Sequence, residues 1–425
     1  MSNFNVCKTR SVVATWCFYD WANSAFTTLI VTFVYSTYFV GEFVADSGRG
    51  TALWSYAVTI SAITIAMIAP VAGALADRGD RRRYLIGCTL LCVLMIILLT
   101  FIKPGQPGAV LMALGVFVIA NVAFELALVF YNAFLPSIAS VEKIGRISGY
   151  GWGLGYVGGL ICLALALPLV LSDPPPFGLS ETEGFNIRAV NIVAAVWFLV
   201  FSIPMFLTVR DERVLDSDIK PRMLLSNFKR TITYLKSYRD VVRFLIARLI
   251  YNDGLVAIFA FGGIYASVTF GFTVGEVIIF GIVLNAVAGL GAWLFGFVDD
   301  RIGGKTTIQI SLIFLAAFTL LAGLAPSRQW FWLAGCGIGL FIGPNQSASR
   351  SLMGRFTPKA HESEFFGFFA FSGKVTSFLG PLLLGILSDV YNQRVGVISV
   401  LLFFLVGGFL VWRIDEKRGI AQACR

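Results

Sequence analysis

GALADRGDRRR runs from Gly73 to Arg83, and GFVDDRIGGK runs from Gly296 to Lys305. In both, a glycine is followed four and five residues later by an Asp-Arg pair, Asp77-Arg78 in the first and Asp300-Arg301 in the second, and then by further basic residues. The matching positions stand 223 residues apart in a chain of 425, so each half carries one copy. Each copy directly follows a long apolar run, and working outward from the two copies divides the chain.

Composition says what those runs are. Hydrophobic residues make up 57% of the chain and charged residues only 13%, with a mean hydropathy of +0.81, whereas soluble domains are about 45–50% apolar and roughly 25% charged. A soluble globular protein is excluded. A run of about 20 apolar residues crosses the hydrocarbon core, and cutting at the polar breaks gives twelve such spans, near 16–40, 51–75, 84–102, 109–134, 147–171, 188–208, 241–266, 273–297, 306–325, 330–352, 365–388 and 395–412. The expected fold is all-α and integral to the membrane: twelve transmembrane helices in two pseudo-symmetric six-helix bundles. The bundles are 1–208 and 241–425, joined by a cytoplasmic linker over 209–240. Internal repeats of this kind are expected of secondary transporters, which place their binding site between the halves.

The distribution of charge orients the spans. With the N-terminus inside, Lys and Arg number 26 on the termini and the even-numbered connections, counting span ends, against 5 on the odd-numbered ones. That bias places both termini in the cytoplasm. The net charge of +9 is therefore topogenic and lipid-directed, and nucleic acid is not expected as a partner. No cleavable signal peptide is evident, because the first apolar run is too long and lacks a small-residue cleavage site. In the linker, Leu224, Phe228, Ile232 and Leu235 recur at helical spacing among Lys229, Arg230, Lys236 and Arg239, the pattern of an amphipathic helix on the inner leaflet. A plain linker fits the same residues.

Beyond the repeated loops stand YDWANSAF in span one, RISGYGWGLGYVGG opening span five, and SRSLMGRFTP followed by EFFGFFAFSGK and GP at spans ten and eleven. The G-x-x-x-D-R loops resemble the signature of the major facilitator superfamily, and the four motifs in this order are similar to its vacuole-effluxer-like branch, also filed as the unknown major facilitator family. The resemblance covers essentially the whole chain. It implies spans one, four, seven and ten around a central cavity, alternating access, and movement of amino acids toward the cytosol, as in export from the yeast vacuole. Asp80 stands where the superfamily usually has glycine, with Gly79 one position early.

A charge within the hydrocarbon region costs roughly 2.5–3.5 kcal/mol on insertion scales and marks a functional candidate. Five qualify: Asp20, Glu125, Arg248, Asp253 and Lys374. On span one Asp20, Asn23 and Thr27 fall on one helical stripe, and on span four Asn121, Glu125 and Asn132 do the same. Span seven adds Asn252 beside Asp253, span ten Asn345, Gln346, Ser349 and Arg350, and span eleven Ser377 one turn beyond Lys374. By helical rise, Glu125, Asn345 and Lys374 lie roughly 4–6 Å and Asp20 and Arg248 roughly 9–12 Å to the cytoplasmic side of their span centres. Each charge reads either as an interhelical salt bridge or as a working group. In the working reading Glu125 or Asp20 binds a coupling proton, Arg248 or Lys374 meets a substrate carboxylate, and Asp20 or Asp253 meets a substrate ammonium.

The loop residues read as gates. Asp77 and Arg78, with Arg81, Arg82 and Arg83, are expected to clamp the inner side by pairing with acidic groups or helix ends across the bundle interface, and Asp300 and Arg301 to mirror them. Gly73 and Gly296 open the two loops, and Gly151, Gly155 and Gly159 form a smooth face on span five. Trp16, Tyr19 and Trp21 at the inner end of span one fit an interfacial belt.

No cofactor or metal is expected, the driving force being a proton gradient. The chain holds seven cysteines without metal spacing and one histidine, His361, in a polar loop. An enzyme would need HExxH, GxSxG, a Walker loop or an intramembrane histidine, and none is present; nor is a channel filter. The expectation is a monomeric multi-pass transporter of the bacterial-type inner membrane, surrounded by lipid and acting on small zwitterions such as amino acids. Efflux of amphipathic compounds is the alternative, and a receptor or channel the alternative of another class.

Overall fold

The computed structural model describes residues 2–211 and 237–424. The first ten spans are helices α1 (Ser2–Ala25), α2 (Ser47–Ala76), α3 (Arg81–Phe101), α4 (Ala109–Ala133), α5 (Ile144–Leu171), α6 (Phe185–Thr208), α7 (Arg239–Phe270), α8 (Val274–Ile302), α9 (Gly304–Leu324) and α10 (Arg328–Phe356). Span eleven is broken into α11 (Glu362–Lys374) and α12 (Leu379–Val390), span twelve is α13 (Gln393–Trp412), and a short α14 (Glu416–Ala423) follows. Among the described residues there is no strand, as expected where lipid cannot satisfy an open backbone. Eleven of the spans are long and apolar enough to cross a membrane. The remaining one, α10, has the length at 29 residues, but its second half carries Asn345, Gln346, Ser347, Ser349, Arg350 and Arg355, which lower its hydropathy. The amphipathic helix expected on Leu224, Phe228, Ile232 and Leu235 lies outside the described residues.

Local chemistry fixes several helix starts. Asp80 caps α3 through the Arg82 amide at 3.0 Å, Asn392 caps α13 through Val395 at 3.0 Å, and Thr273 with Glu276 forms a reciprocal capping box on α8. Two spans leave regular α geometry. After Ala25, span one continues as a π-helical stretch over Phe26–Phe33, a turn of α-helix over Tyr35–Tyr38 and a second π stretch over Phe39–Phe43. Span eleven is interrupted at residues 375–378.

The helices group into two units, one comprising Met1–Ile65, Asp80–Tyr131 and Leu154–Arg213, the other Ala66–Gly79, Asn132–Gly153 and Val214–Arg425. In the first unit α1 and α3 pack on α6. Trp197 of α6 stacks on Trp21 with ring centroids 5.4 Å apart and donates its indole N–H to the Trp21 carbonyl at 3.1 Å. In the second unit α10 lies against both α8 and α9, and α13 against α7, α9 and α12. Small residues permit the closest of these approaches: a Cβ on Gly343 would collide with the Ala288 carbonyl, and one on Gly291 with that of Leu340.

The two units repeat one another in how their third helices are held. In the first, Asp211 accepts the Arg81 amide at 3.1 Å at the start of α3, and Arg188 donates to the Thr100 carbonyl at 2.6 Å at its end. In the second, Glu416 accepts the amides of Gly304 and Lys305 at 2.9 and 3.1 Å at the start of α9, and Arg394 donates to the Gly323 carbonyl at 3.0 Å at its end. Arg81 and Gly304, and likewise Thr100 and Gly323, are 223 positions apart, the spacing of the loop repeat. An anion at a helix start and a cation at its end both match the helix dipole.

Candidate functional site

In the first unit the acid and amide of span one are buried together, Asn23 donating to Asp20 Oδ1 at 3.3 Å. Gly155 of α5 lies against them: a Cβ there would stand 3.3 Å from the Asp20 carbonyl oxygen. Gly158 and Gly159 make the same approach to Trp21 and Thr28, so Gly155 and Gly159 of the expected glycine face, with Gly158, dock against span one. The third member of the expected stripe, Thr27, is exposed, because the 3.6-residue spacing ends at Ala25 where the π-helical turn begins. Asn121 and Glu125 of α4 are both half-buried in this unit.

Trp16 and Tyr19 correct the expectation of an interfacial belt. Both are fully buried. Trp16 donates to the Tyr131 carbonyl at 3.0 Å while Tyr131 donates to the Trp16 carbonyl at 3.1 Å, and their rings stack at 4.5 Å. Tyr19 bonds Thr89 Oγ1 at 2.7 Å. With hydroxyl and indole groups satisfied inside the bundle, these rings have no need of the membrane interface.

In the second unit the polar groups of α7 line up along the break in span eleven. Arg248 donates to the Phe369 carbonyl at 2.6 Å and to Ser372 Oγ at 3.0 Å, with its guanidinium 3.6 Å from the Phe369 ring centroid. Asn252 donates to the Gly373 carbonyl at 2.9 Å, and Thr376, inside the break, donates to Asp253 Oδ1 at 3.2 Å. A helix interrupted at membrane depth needs partners for its freed carbonyls, and Asn252 of α7 supplies one for Gly373. Lys374 is the last residue of α11, immediately before the break. A Cβ on Gly380 would collide with the Asp253 carbonyl, so α12 resumes in direct contact with α7.

The candidates on α10 divide. Asn345 is fully buried and donates to Ser311 of α9 at 3.0 Å, which makes it a tie between helices. Gln346 is half-buried. Arg350, also buried, donates to the side chain and carbonyl of Ser148 at 2.9 and 2.7 Å, and reaches Asn132 Oδ1 at 3.4 Å. The expected stripe on span four is thereby split, with Asn132 engaged by α10.

The repeated loops form the clearest paired feature. Asp77 accepts the amides of Ser363 and Glu364 at 2.8 and 2.7 Å, capping α11. Asp300 accepts the amides of Gly145 and Arg146 at 2.9 and 3.2 Å, capping α5, and is ion-paired to Arg146. The glycines complete the fit: a Cβ on Gly73 would strike the Ser363 carbonyl, and one on Gly296 would lie 2.9 Å from Arg146 Cα. Arg78 is half-buried and Arg301 exposed. The basic run departs from expectation, since Arg81 and Arg82 bind Asp211 and the Phe206 carbonyl within the first unit and Arg83 pairs with Asp80 at 3.2 Å. They hold α3 to α6 because they open α3, and its first turn packs beside the end of α6.

A family model described as vacuole effluxer Atg22 like matches residues 49–424. The chain belongs to this family. An uncharacterized MFS-type transporter of Bacillus subtilis, YxiO, is 27% identical over 415 residues, 95% of this chain and 94% of the relative. Autophagy-related protein 22-1 of Penicillium rubens is 25% identical over 65% of this chain, which spans about half (50%) of that relative. In fold the chain is similar to the proton:xylose symporter XylE (TM-score 0.76, 14% identity, 98% of both chains covered) and to the transporter FucP in its outward conformation (TM-score 0.74, 15% identity, 96% of this chain and 98% of that one). The twelve-helix major facilitator fold and a transporter rather than an enzyme follow from these together.

Within this family member the loops also engage groups that sequence reasoning passed over. Arg355, buried, pairs with Asp299 at 2.5 Å and lies 3.9 Å from Glu416, while Ser351 also donates to Asp299. Asp299 is the extra acid of the second loop copy, next to Asp300, and Arg355 is the second arginine of the SRSLMGRFTP motif. An acid with no counterpart in the first copy and an arginine inside a quoted motif were the available signals. His361 and Glu364 pair at 2.8 Å beside the Asp77 cap.

Proposed function

We propose that this transporter moves amino acids or similar small zwitterionic metabolites by alternating access, driven by a proton gradient. The reading is carried by one observation: each unit buries ionisable groups where a span leaves α geometry. Asp20 with Asn23 precedes the π-helical stretch of span one, and buried Asp253, with half-buried Arg248 and Asn252, packs along the break in span eleven. Interrupted helices facing charged side chains are where transporters of other folds hold substrates and coupling ions, and a zwitterion calls for groups of both signs. The family description, vacuole effluxer, supports transport as such.

In this reading Glu125 or Asp20 carries the proton, and Asp77 and Asp300 latch one side of the cavity shut by holding helix starts. The bundles are 1–208 and 241–425, the linker and both termini are cytoplasmic, and the protein works as a monomer in a bacterial-type inner membrane. Counterflow in proteoliposomes against amino acids, dipeptides, nucleosides and amphipathic drugs is the test. Saturable exchange of an amino acid is expected, and exchange of amphipathic compounds alone overturns the reading. Glu125→Gln is expected to abolish proton-driven accumulation while sparing exchange; full accumulation in the variant removes Glu125 from the coupling role.

A further inference from the structure

Near the start of α6, a polar cluster in the first unit has no part in the transport reading. Arg188, Asn191, Thr100 and Tyr35 are 2%, 1%, 1% and 1% exposed. Arg188 Nη1 is spent on the Thr100 carbonyl at 2.6 Å, which brings the guanidinium to the last turn of α3. Asn191 is one turn beyond Arg188 on the same helix face, and the Tyr35 hydroxyl lies within electrostatic reach of the Arg188 charge. Among the described residues, Arg188 Nε, both amide atoms of Asn191, Thr100 Oγ1 and Tyr35 Oη have no hydrogen-bond partner. No carboxylate among the described residues pairs with Arg188, and its guanidinium lies 5.6 Å from the Phe185 ring centroid.

A buried amide with neither atom paired costs several kcal/mol in a hydrocarbon setting, and such groups in native proteins are nearly always satisfied. The inventory here is lopsided. Arg188 Nε, Asn191 Nδ2 and the two hydroxyls are four groups able to donate, against one acceptor that cannot also donate, Asn191 Oδ1. A buried guanidinium without a carboxylate, in the first turn of a 24-residue helix, adds positive potential from charge and dipole alike. Donor excess, positive potential and near-complete burial select a small anion.

We propose that Arg188, Asn191, Thr100 and Tyr35 form a binding site for a small monovalent anion of halide size within the first unit. The anion takes the Arg188 Nε and Asn191 Nδ2 hydrogens and the two hydroxyl hydrogens, balances the buried guanidinium, and ties the ends of spans one and three to the start of span six.

The test uses the purified full-length protein in detergent, with chloride exchanged for gluconate at constant ionic strength. Chloride is expected to raise the unfolding temperature saturably, by about 2–4 °C, in the wild type. Arg188→Gln also breaks the tie to Thr100, so the diagnostic variant is Asn191→Leu, which leaves that tie intact and is expected to lose the chloride shift. Identical unfolding temperatures in the two salts, or an undiminished shift in Asn191→Leu, overturn the proposal. In bromide-grown crystals an anomalous peak beside Arg188 Nε supports it, and density for water alone at that place overturns it.

Discussion

Asp77 and Asp300, 223 positions apart, perform the same act on different helices: each carboxylate takes two consecutive backbone amides of a helix start, Ser363-Glu364 in one case and Gly145-Arg146 in the other. Each cap uses a charge against the positive end of a helix dipole, the arrangement that makes such bonds stronger than neutral ones.

Asp77→Asn and Asp300→Asn are therefore expected to loosen the latch. A cap is worth about 1 kcal/mol, so each substitution should shift the latched population about fivefold, and the pair together more. Spin labels at exposed Lys143 and Lys359, read by pulsed electron resonance, should show a growing long-distance component.

The glycines beneath those caps should be less forgiving than the acids. A methyl at Gly73 has the Ser363 carbonyl in its way, and one at Gly296 has Arg146 Cα at 2.9 Å. Gly73→Ala and Gly296→Ala should cost about 1–3 kcal/mol of latch contact by overpacking. The measurable result is loss of counterflow in proteoliposomes with unchanged protein yield after purification.

Arg355 and Asp299 form a buried pair at 2.5 Å. Removing one partner strands the other, at about 3–5 kcal/mol, whereas replacing both with apolar residues is far milder. Arg355→Met should lower the unfolding temperature in detergent more than the double variant Arg355→Met with Asp299→Leu.

Arg248 braces the last turns of α11 as well as contributing charge. Arg248→Ala removes the Nη1 donor shared by the Phe369 carbonyl and Ser372, and Arg248→Lys keeps the charge but loses the planar group lying on the Phe369 ring. Both variants are expected to lose counterflow, with the lysine variant recovering little. Asn252→Ala, which frees the Gly373 carbonyl, should do the same more weakly.

How far these relations were readable in the sequence follows from range. Span positions came from hydropathy, a property of consecutive residues, and the helices match them to within about five residues at most ends, α1 excepted, which begins at Ser2. The loop repeat singled out Asp77 and Asp300 as residues that pair with acidic groups or helix ends, but which helix starts they hold depends on residues far away in the chain. The break at residues 375–378 carried one local mark, Pro381 in GKVTSFLGP, whose missing N–H leaves the Ser377 carbonyl without its helix partner; the contacts it receives from Arg248, Asn252 and Asp253, more than 100 residues away, were not legible. Tyr19 and Trp16 misled for the same reason, since an aromatic near a span end looks alike whether it faces headgroups or a Tyr131 carbonyl. The π-helical stretch after Ala25, in which Thr27 stands, has neither glycine nor proline in FTTLIVTF to announce it.

Because α3 is fastened to the end of α6 at its start and to the beginning of α6 at its end, the two helices cannot slide along each other without breaking charge-assisted bonds at both extremes. Arg394 and Glu416 impose the same on α9 and its partners. Sliding of α3 along α6, or of α9 past α13 and α14, therefore costs bonds at both extremes at once, so each of these pairs is a stiff rail within its own unit.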